Sequence, residues 1–331
     1  MKPKIFRITS VLTKRQLSVI RSKSDFYGLL LVMHAWGIIF ACVSLVIFFP
    51  NPVSYLVAII LIGSRQLGLM ILMHESAHQN LFRTPSLNYW VGQVACALPV
   101  FANSEVYRDY HIKHHLNTQK TEDPDFNLTK SYPITKKSFI RKIARDLTGI
   151  TAFYQRKHQI LTAFGNKEMP VKQRSLHFWK SVGKQATCNF VIFFVALYFG
   201  YGSFYLILWI LPLLTWHQLV LRIRNIAEHA VVGCADNPLR NTRTTIAGFW
   251  EKLLVAPYWV NYHLEHHLAM WIPCYRLKYF HKLLIFYGLK EEMEIEYGYV
   301  SLLRKIITEN PGNDNSQQKS HRVGSFSEGF K

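Results

Sequence analysis

Four apolar runs, at 26–50, 53–73, 186–202 and 203–221, leave this chain few folds to choose from. Each approaches or reaches the about 20 residues that an α-helix needs to cross a hydrocarbon core about 30 Å thick. In lipid a spanning segment must also satisfy its own backbone hydrogen bonds, which favours helices. The sequence therefore predicts four transmembrane helices. Breakers separate the members of each pair, Asn51-Pro52 in one and Gly200-Tyr201-Gly202-Ser203 in the other, so the helices pair as two hairpins. Each hairpin returns the chain to the side from which it started.

Charge placement gives the orientation. The chain carries 39 Lys and Arg against 20 Asp and Glu, a formal charge of +19 that on its own would suit nucleic acid. Lys2, Lys4, Arg7, Lys14, Arg15, Arg21 and Lys23 precede the first span, however, most of the rest lie in the two long polar segments, and neither hairpin turn holds one. By the positive-inside rule both termini and both long segments are cytoplasmic, which argues against nucleic acid as the partner. Residues 1–25 read as a basic cytoplasmic lead-in, 26–309 as a membrane domain, and the polar 310–331 as a disordered tail. Met1 to Phe6 lacks an apolar core and a small-residue cleavage site, so no removable signal peptide is expected. Cys42, Cys96, Cys188, Cys234 and Cys274 are scattered without CxxC spacing and are expected to be reduced.

Three histidine clusters fall in the cytoplasmic segments: His74 with His78, His111 with His114 and His115, and His263 with His266 and His267. Residues three or four apart share a helix face, so His74 with His78, His111 with His115, and His263 with His267 can each aim at one point. Neutral imidazole is a ligand for Zn, Cu, Fe or Ni. Eight such rings exceed the four that a tetrahedral structural zinc uses, so two metals are the simpler reading. All-histidine ligation lacks the carboxylates of Mg-dependent phosphoryl transfer and suits redox chemistry with oxygen. A dimetal hydrolase has compatible ligands, but a site at the mouth of membrane helices faces a hydrocarbon that offers nothing polar to hydrolyse.

Other residues take lesser roles. The segment 87–101 is apolar but too short to span and reads as interfacial or re-entrant, and the basic region 130–184 as amphipathic helices on anionic headgroups. Glu75, Asp109, Asp123, Asp125, Glu228 and Glu265 lie beside the clusters, where a carboxylate can fix the tautomer of a ligand; Asp109 and Asp125 are the favoured two. Arg65 and Gln66 interrupt the second span and point either to a headgroup or substrate contact or to snorkelling. His34 and His217 read as interhelical hydrogen-bonding residues, whereas His158, His177, His281 and His321 have no partner at ligand spacing. Trp90, Trp209, Trp216, Trp250, Trp259 and Trp271 read mainly as interface anchors.

The three boxes HxxxH, HxxHH and HxxHH, with one hairpin before the first and another between the second and third, resemble the integral-membrane fatty acid desaturase and hydroxylase superfamily. The likeness runs from about Phe26 to Lys290 and extends to Asp123-Pro124-Asp125, to Asn261-Tyr262 ahead of the third box and to Pro273 beyond it. Arg224-Asn225-Ile226-Ala227-Glu228-His229 is similar to that family's additional ligand segment. The resemblance implies an all-α membrane protein with a cytoplasmic helical cap and a di-iron centre. Its ligands would be His74, His78, His111, His114, His115, His229, His263, His266 and His267, with Asn225 holding a water. It further implies desaturation of an acyl chain with O2 and two electrons. The three-residue gap in the first box is more like acyl-lipid or sphingolipid-type than acyl-CoA desaturases, and His263 stands where front-end desaturases usually carry Gln. No His-Pro-Gly-Gly haem segment occurs, so electrons would come from a separate donor such as ferredoxin or cytochrome b5. The alternatives are a hydroxylase or ketolase of a carotenoid, sterol or other alkyl lipid, and a non-enzymatic membrane metal-binding protein.

Overall fold

The computed structural model describes residues 8–233 and 235–309, so the expectations for Met1 to Phe6, Cys234, His321 and the 310–331 tail lie outside the described residues. The chain is mostly helical. The principal helices are α1 (Asp25–Phe48), α2 (Pro52–Ala77), α3 (Ser104–Asn117), α4 (Lys136–Leu147), α5 (Ile150–Ala163), α6 (Val171–Tyr198), α7 (Trp216–His229), α8 (Phe249–Leu254), α9 (His263–Leu268) and α10 (Cys274–Phe286). Local chemistry sets the starts of the first two. The Ser24 hydroxyl accepts from the Tyr27 amide at the head of α1, while Asn51 Oδ1 accepts from Val53 and Ser54 and Pro52 takes the first helical position of α2.

Among the described residues three helical stretches are long and apolar enough to cross a membrane: Asp25–Phe48, Pro52–Ala77 and Gly202–His229. They fit a membrane-associated protein. The first two match the expected hairpin, although α2 runs past 73 and carries His74 within its last turn. The run at 186–202 has a different setting. It forms the C-terminal part of α6, whose first half holds Lys172, Arg174, Lys180 and Lys184, and the helix stops at Tyr198 before a turn with Gly200 at φ +80. The last stretch contains a π-helical turn at Tyr205–Ile210 and a break at Thr215, then continues as α7 to His229, well beyond the expected end at 221.

The segment between the first two clusters is built into the bundle. It comprises a helix at Pro85–Val91, a π turn at Gly92–Ala97 and a 3-10 turn at Leu98–Val100. A Cβ at Gly92 would come within 2.0 Å of Ser76 Oγ, so only glycine permits this approach to α2. Asn189 and Trp209 donate to the carbonyls of Leu98 and Pro99 from the far side, at 2.9 and 3.0 Å. One feature departs from an all-helical reading. Thr244–Ile246 pairs in parallel with Ile295–Tyr297, register Thr244 to Ile295, and ties the approach to the third cluster to the C-terminal part of the fold. Strands of three residues are too short to leave a period-two signature.

Candidate metal centre

Helices α2, α3, α7 and α9 each end at, or consist of, histidine-bearing turns, and the bundle gathers those turns together. His74, His78, His111, His115 and His266 form one group, and His114, His229, His263 and His267 a second; within each, one ligand atom per residue lies within 4.8 Å of all the others. The division follows from helix geometry. In an HxxHH box the first and last histidines lie about 40° apart while the middle one projects about 60° from the first and about 100° from the last, since one residue turns an α-helix by about 100°. His111 and His115 therefore serve the first group and His114 the second, whereas His263 and His267 serve the second and His266 the first.

The ring nitrogens converge. His115 Nε2 lies 2.9 Å from His111 Nε2 and 3.0 Å from His266 Nε2, and His263 Nε2 lies 2.9 Å from His229 Nε2. Nε2 of His74, His78 and His267 is buried with no hydrogen-bond partner. Buried polar atoms without partners are costly, and a cation at the centre of each group would satisfy them. The titration behaviour agrees. Burial pushes His78 down to about 3 and His115 to about 2, and it holds His111, His263, His266 and His267 well below the ordinary imidazole range. The rings are thus neutral near pH 7, the state in which a lone pair is free to bind metal. Five and four imidazoles fit two borderline transition-metal ions.

Surrounding groups fix several rings through their Nδ1. Asp123 accepts from His114 at 2.7 Å and is itself held by the amides of Gln119 and Asp125 at 3.0 and 2.8 Å. Glu228, clamped by Arg224 Nε at 2.7 Å, stands 3.5 Å from His263 Nδ1. Thr118 Oγ1 is 3.2 Å from His267 Nδ1, and Glu75 is 3.2 Å from His74 Nδ1 while accepting the Cys274 amide at 2.8 Å. The favoured carboxylates fare differently. Asp109 is exposed on α3, and Asp125 stays 3.7 Å from His114 and takes the Tyr110 hydroxyl. Asp123 holds the place expected of them.

Glu265 takes no ligand ring. It accepts from Thr244 Oγ1 and lies 2.6 Å from His281 Nδ1, so it ties α9 to the β1 strand (Thr244–Ile246) and to α10. Sequence spacing had left His281 without a role, because its partner sits on another helix. Arg243 was also passed over. It donates to the carbonyls of Ala227, Ala230 and Val231 at 2.7 to 3.1 Å and so satisfies the open C-terminal end of α7, which bears His229. Asn225 sits one helical turn before His229 and lines a polar recess of about 250 Å³ with Lys142, Gln155, Gln218 and Arg222. Of the span residues, His34 Nδ1 meets the Tyr258 hydroxyl at 3.0 Å and His217 is buried. Trp90 and Trp250 are exposed as anchors should be, whereas Trp209 and Trp216 donate to Pro99 O and Ser64 Oγ inside the bundle.

Two comparisons bear on this arrangement. The family model described as fatty acid desaturase matches residues 50–286, which include all nine histidines and Asn225. A dihydrorhizobitoxine desaturase from Bradyrhizobium elkanii is 27% identical over 275 residues, covering 80% of this chain and 76% of that protein.

Proposed function

The chain belongs to the fatty acid desaturase family, and on that premise we propose that this oxidoreductase introduces a double bond into the acyl chain of a membrane lipid or fatty acyl thioester, using O2 and a di-iron centre. The observation that carries the reading is the convergence of nine buried or half-buried imidazoles into groups of five and four at the ends of apolar helices. In this reading His74, His78, His111, His115 and His266 hold one iron, and His114, His229, His263 and His267 the other, with Asn225 fixing a water. Bound there, the two ions supply the O2 activation and hydrogen abstraction that turn CH2–CH2 into CH=CH, with two external electrons and two protons completing the reduction of O2 to water. A separate donor such as ferredoxin or cytochrome b5 delivers the electrons.

The protein's own groups have three tasks. Asp123 keeps the proton of His114 on Nδ1, which leaves Nε2 free as a donor atom. Glu75, Glu228 and Thr118 orient His74, His263 and His267 in the same way. Burial keeps bulk water from the ligand rings. Four spans in two hairpins, with termini and metal centre on the cytoplasmic side, would present the site to an acyl chain lying in the bilayer. The name of the similar protein favours desaturation over hydroxylation; dihydrorhizobitoxine is a substrate named for that protein alone.

Iron analysis of purified protein and lipid mass spectrometry of a host expressing the chain or its His266→Ala variant test the proposal together. Desaturation requires about two irons per chain and a host lipid lighter by two hydrogens that disappears with His266→Ala. A gain of one oxygen would transfer the chain to the hydroxylase reading. One zinc per chain, or an unchanged lipid profile, would sink both.

A further inference from the structure

Arg65 lies within the apolar helix α2, 2% exposed. Among the described residues no carboxylate lies within ion-pair distance of it. Its contacts are of another kind: Nη2 donates to the carbonyl of Leu253, and the guanidinium sits 5.8 Å over the ring of Tyr258. A cation buried among apolar helices without a counter-ion is costly, and such residues are rarely retained without a task. Snorkelling does not describe this side chain, because it reaches inward to another segment.

That segment needs what Arg65 offers. Leu253 is in the last turn of α8, where carbonyls have no helical partner, and the chain beyond it leaves the helical pattern. Glu251 O alone receives the amides of both Val255 and Ala256, and Tyr258 and Trp259 take left-handed backbone angles at φ 55 and 59. Non-helical backbone between membrane helices persists only where protein groups satisfy it. Tyr258 is gripped from two sides: its hydroxyl meets His34 of α1 at 3.0 Å, and a Cβ on Gly68 of α2 would come within 2.8 Å of its ring. Four residues after Trp259 the chain enters the third cluster at His263, and nine residues after Arg65 the same helix α2 presents His74.

We propose that Arg65 is a positioning residue that fastens the segment 249–262 to α1 and α2 and thereby fixes the third histidine cluster in register with the first. A straight helix carries Arg65 and His74 at a constant separation of about 13 Å along its axis. Pinning Leu253 and Tyr258 to that helix therefore sets the distance from which the chain returns to His263 and His266. An apolar side chain would pack at lower cost but would leave the Leu253 carbonyl without a donor. The proposal rests on the metal-centre reading, and measurement on metal-free protein separates the two.

Hydrogen–deuterium exchange of the full chain in detergent, without metal, tests it for the wild type, Arg65→Met, Arg65→Lys and Tyr258→Phe. In the wild type the amides of 253–262 should be protected like those of α2. Arg65→Met should speed their exchange at least tenfold while α1 stays unchanged, Arg65→Lys should recover part of the protection, and Tyr258→Phe, which keeps the ring under the guanidinium but removes the hydroxyl that meets His34, should speed exchange less than Arg65→Met does. Reloaded with iron, Arg65→Met should bind less than Arg65→Lys. Unchanged exchange at 253–262 in Arg65→Met would overturn the proposal, as would a rise spread evenly over α1 and α2 that lysine does not reduce. Should Arg65→Met resist purification, the wild type decides: exchange at 253–262 as fast as in the surface turn at 165–169 would equally overturn it.

Discussion

The group of His74, His78, His111, His115 and His266 relies on number, whereas the group of His114, His229, His263 and His267 relies on bracing. In the first, Glu75 supports His74, and Nδ1 of His115 and of His266 is buried without a partner. In the second, Asp123, Glu228 and Thr118 support three of four rings. A braced ring has its tautomer and orientation set before metal arrives, so fewer ligands give the same definition of geometry. The smaller group is accordingly the more preorganised, and under the proposed di-iron reading its four rings would leave it the better placed to keep a coordination position open.

Removing a histidine from the four-ring group is the strongest way to break this contrast. His263→Ala should lower iron from about two per chain to about one, with the loss confined to the four-ring group in the iron spectrum; loss of both ions would mean that the groups act as a single site. A smaller effect should follow from Asp123→Asn, which keeps the shape but withdraws the charge facing His114 Nδ1. Metal affinity measured by chelator competition should fall about 10- to 100-fold, and Glu75→Gln should cost less, since its ring belongs to a five-ligand group. Equal losses from the two would erase the distinction. Smallest of all, Thr118→Val removes one 3.2 Å contact to His267 and should weaken the same competition only a few-fold.

The eight histidines of the three boxes were legible because their signal is local, whereas His229 was named only through the family resemblance. HxxxH and HxxHH encode a shared helix face, while the split of each HxxHH box between two groups emerged only with the structure. The groups that hold those rings were less legible. Asp123 could be named as a neighbour but not ranked over Asp109, because only the turn at 117–126 decides which carboxylate swings back toward α3. His281, Thr244 and Arg243 act on residues of other segments, with Arg243 closing a helix that ends fourteen residues before it. Nothing local marks such pairs. Apolar runs located the helices more reliably than their ends: the run at 186–202 proved to be half of a longer helix with a basic start, and the last stretch extends to His229. Hydropathy records burial or lipid contact, but helix ends depend on capping and tertiary packing.

The π turn at Tyr205–Ile210 has a consequence for the phase of the helix that bears His229. A π turn closes i to i+5 and so holds one residue more than an α turn. The surplus is absorbed there, and the angular setting of everything downstream does not depend on it. Deleting one residue within 205–210 should shrink the wide turn to an ordinary one and leave His229 facing its group, with iron content retained. The same deletion between Trp216 and His229 should swing that ring by about 100° and abolish its ligation.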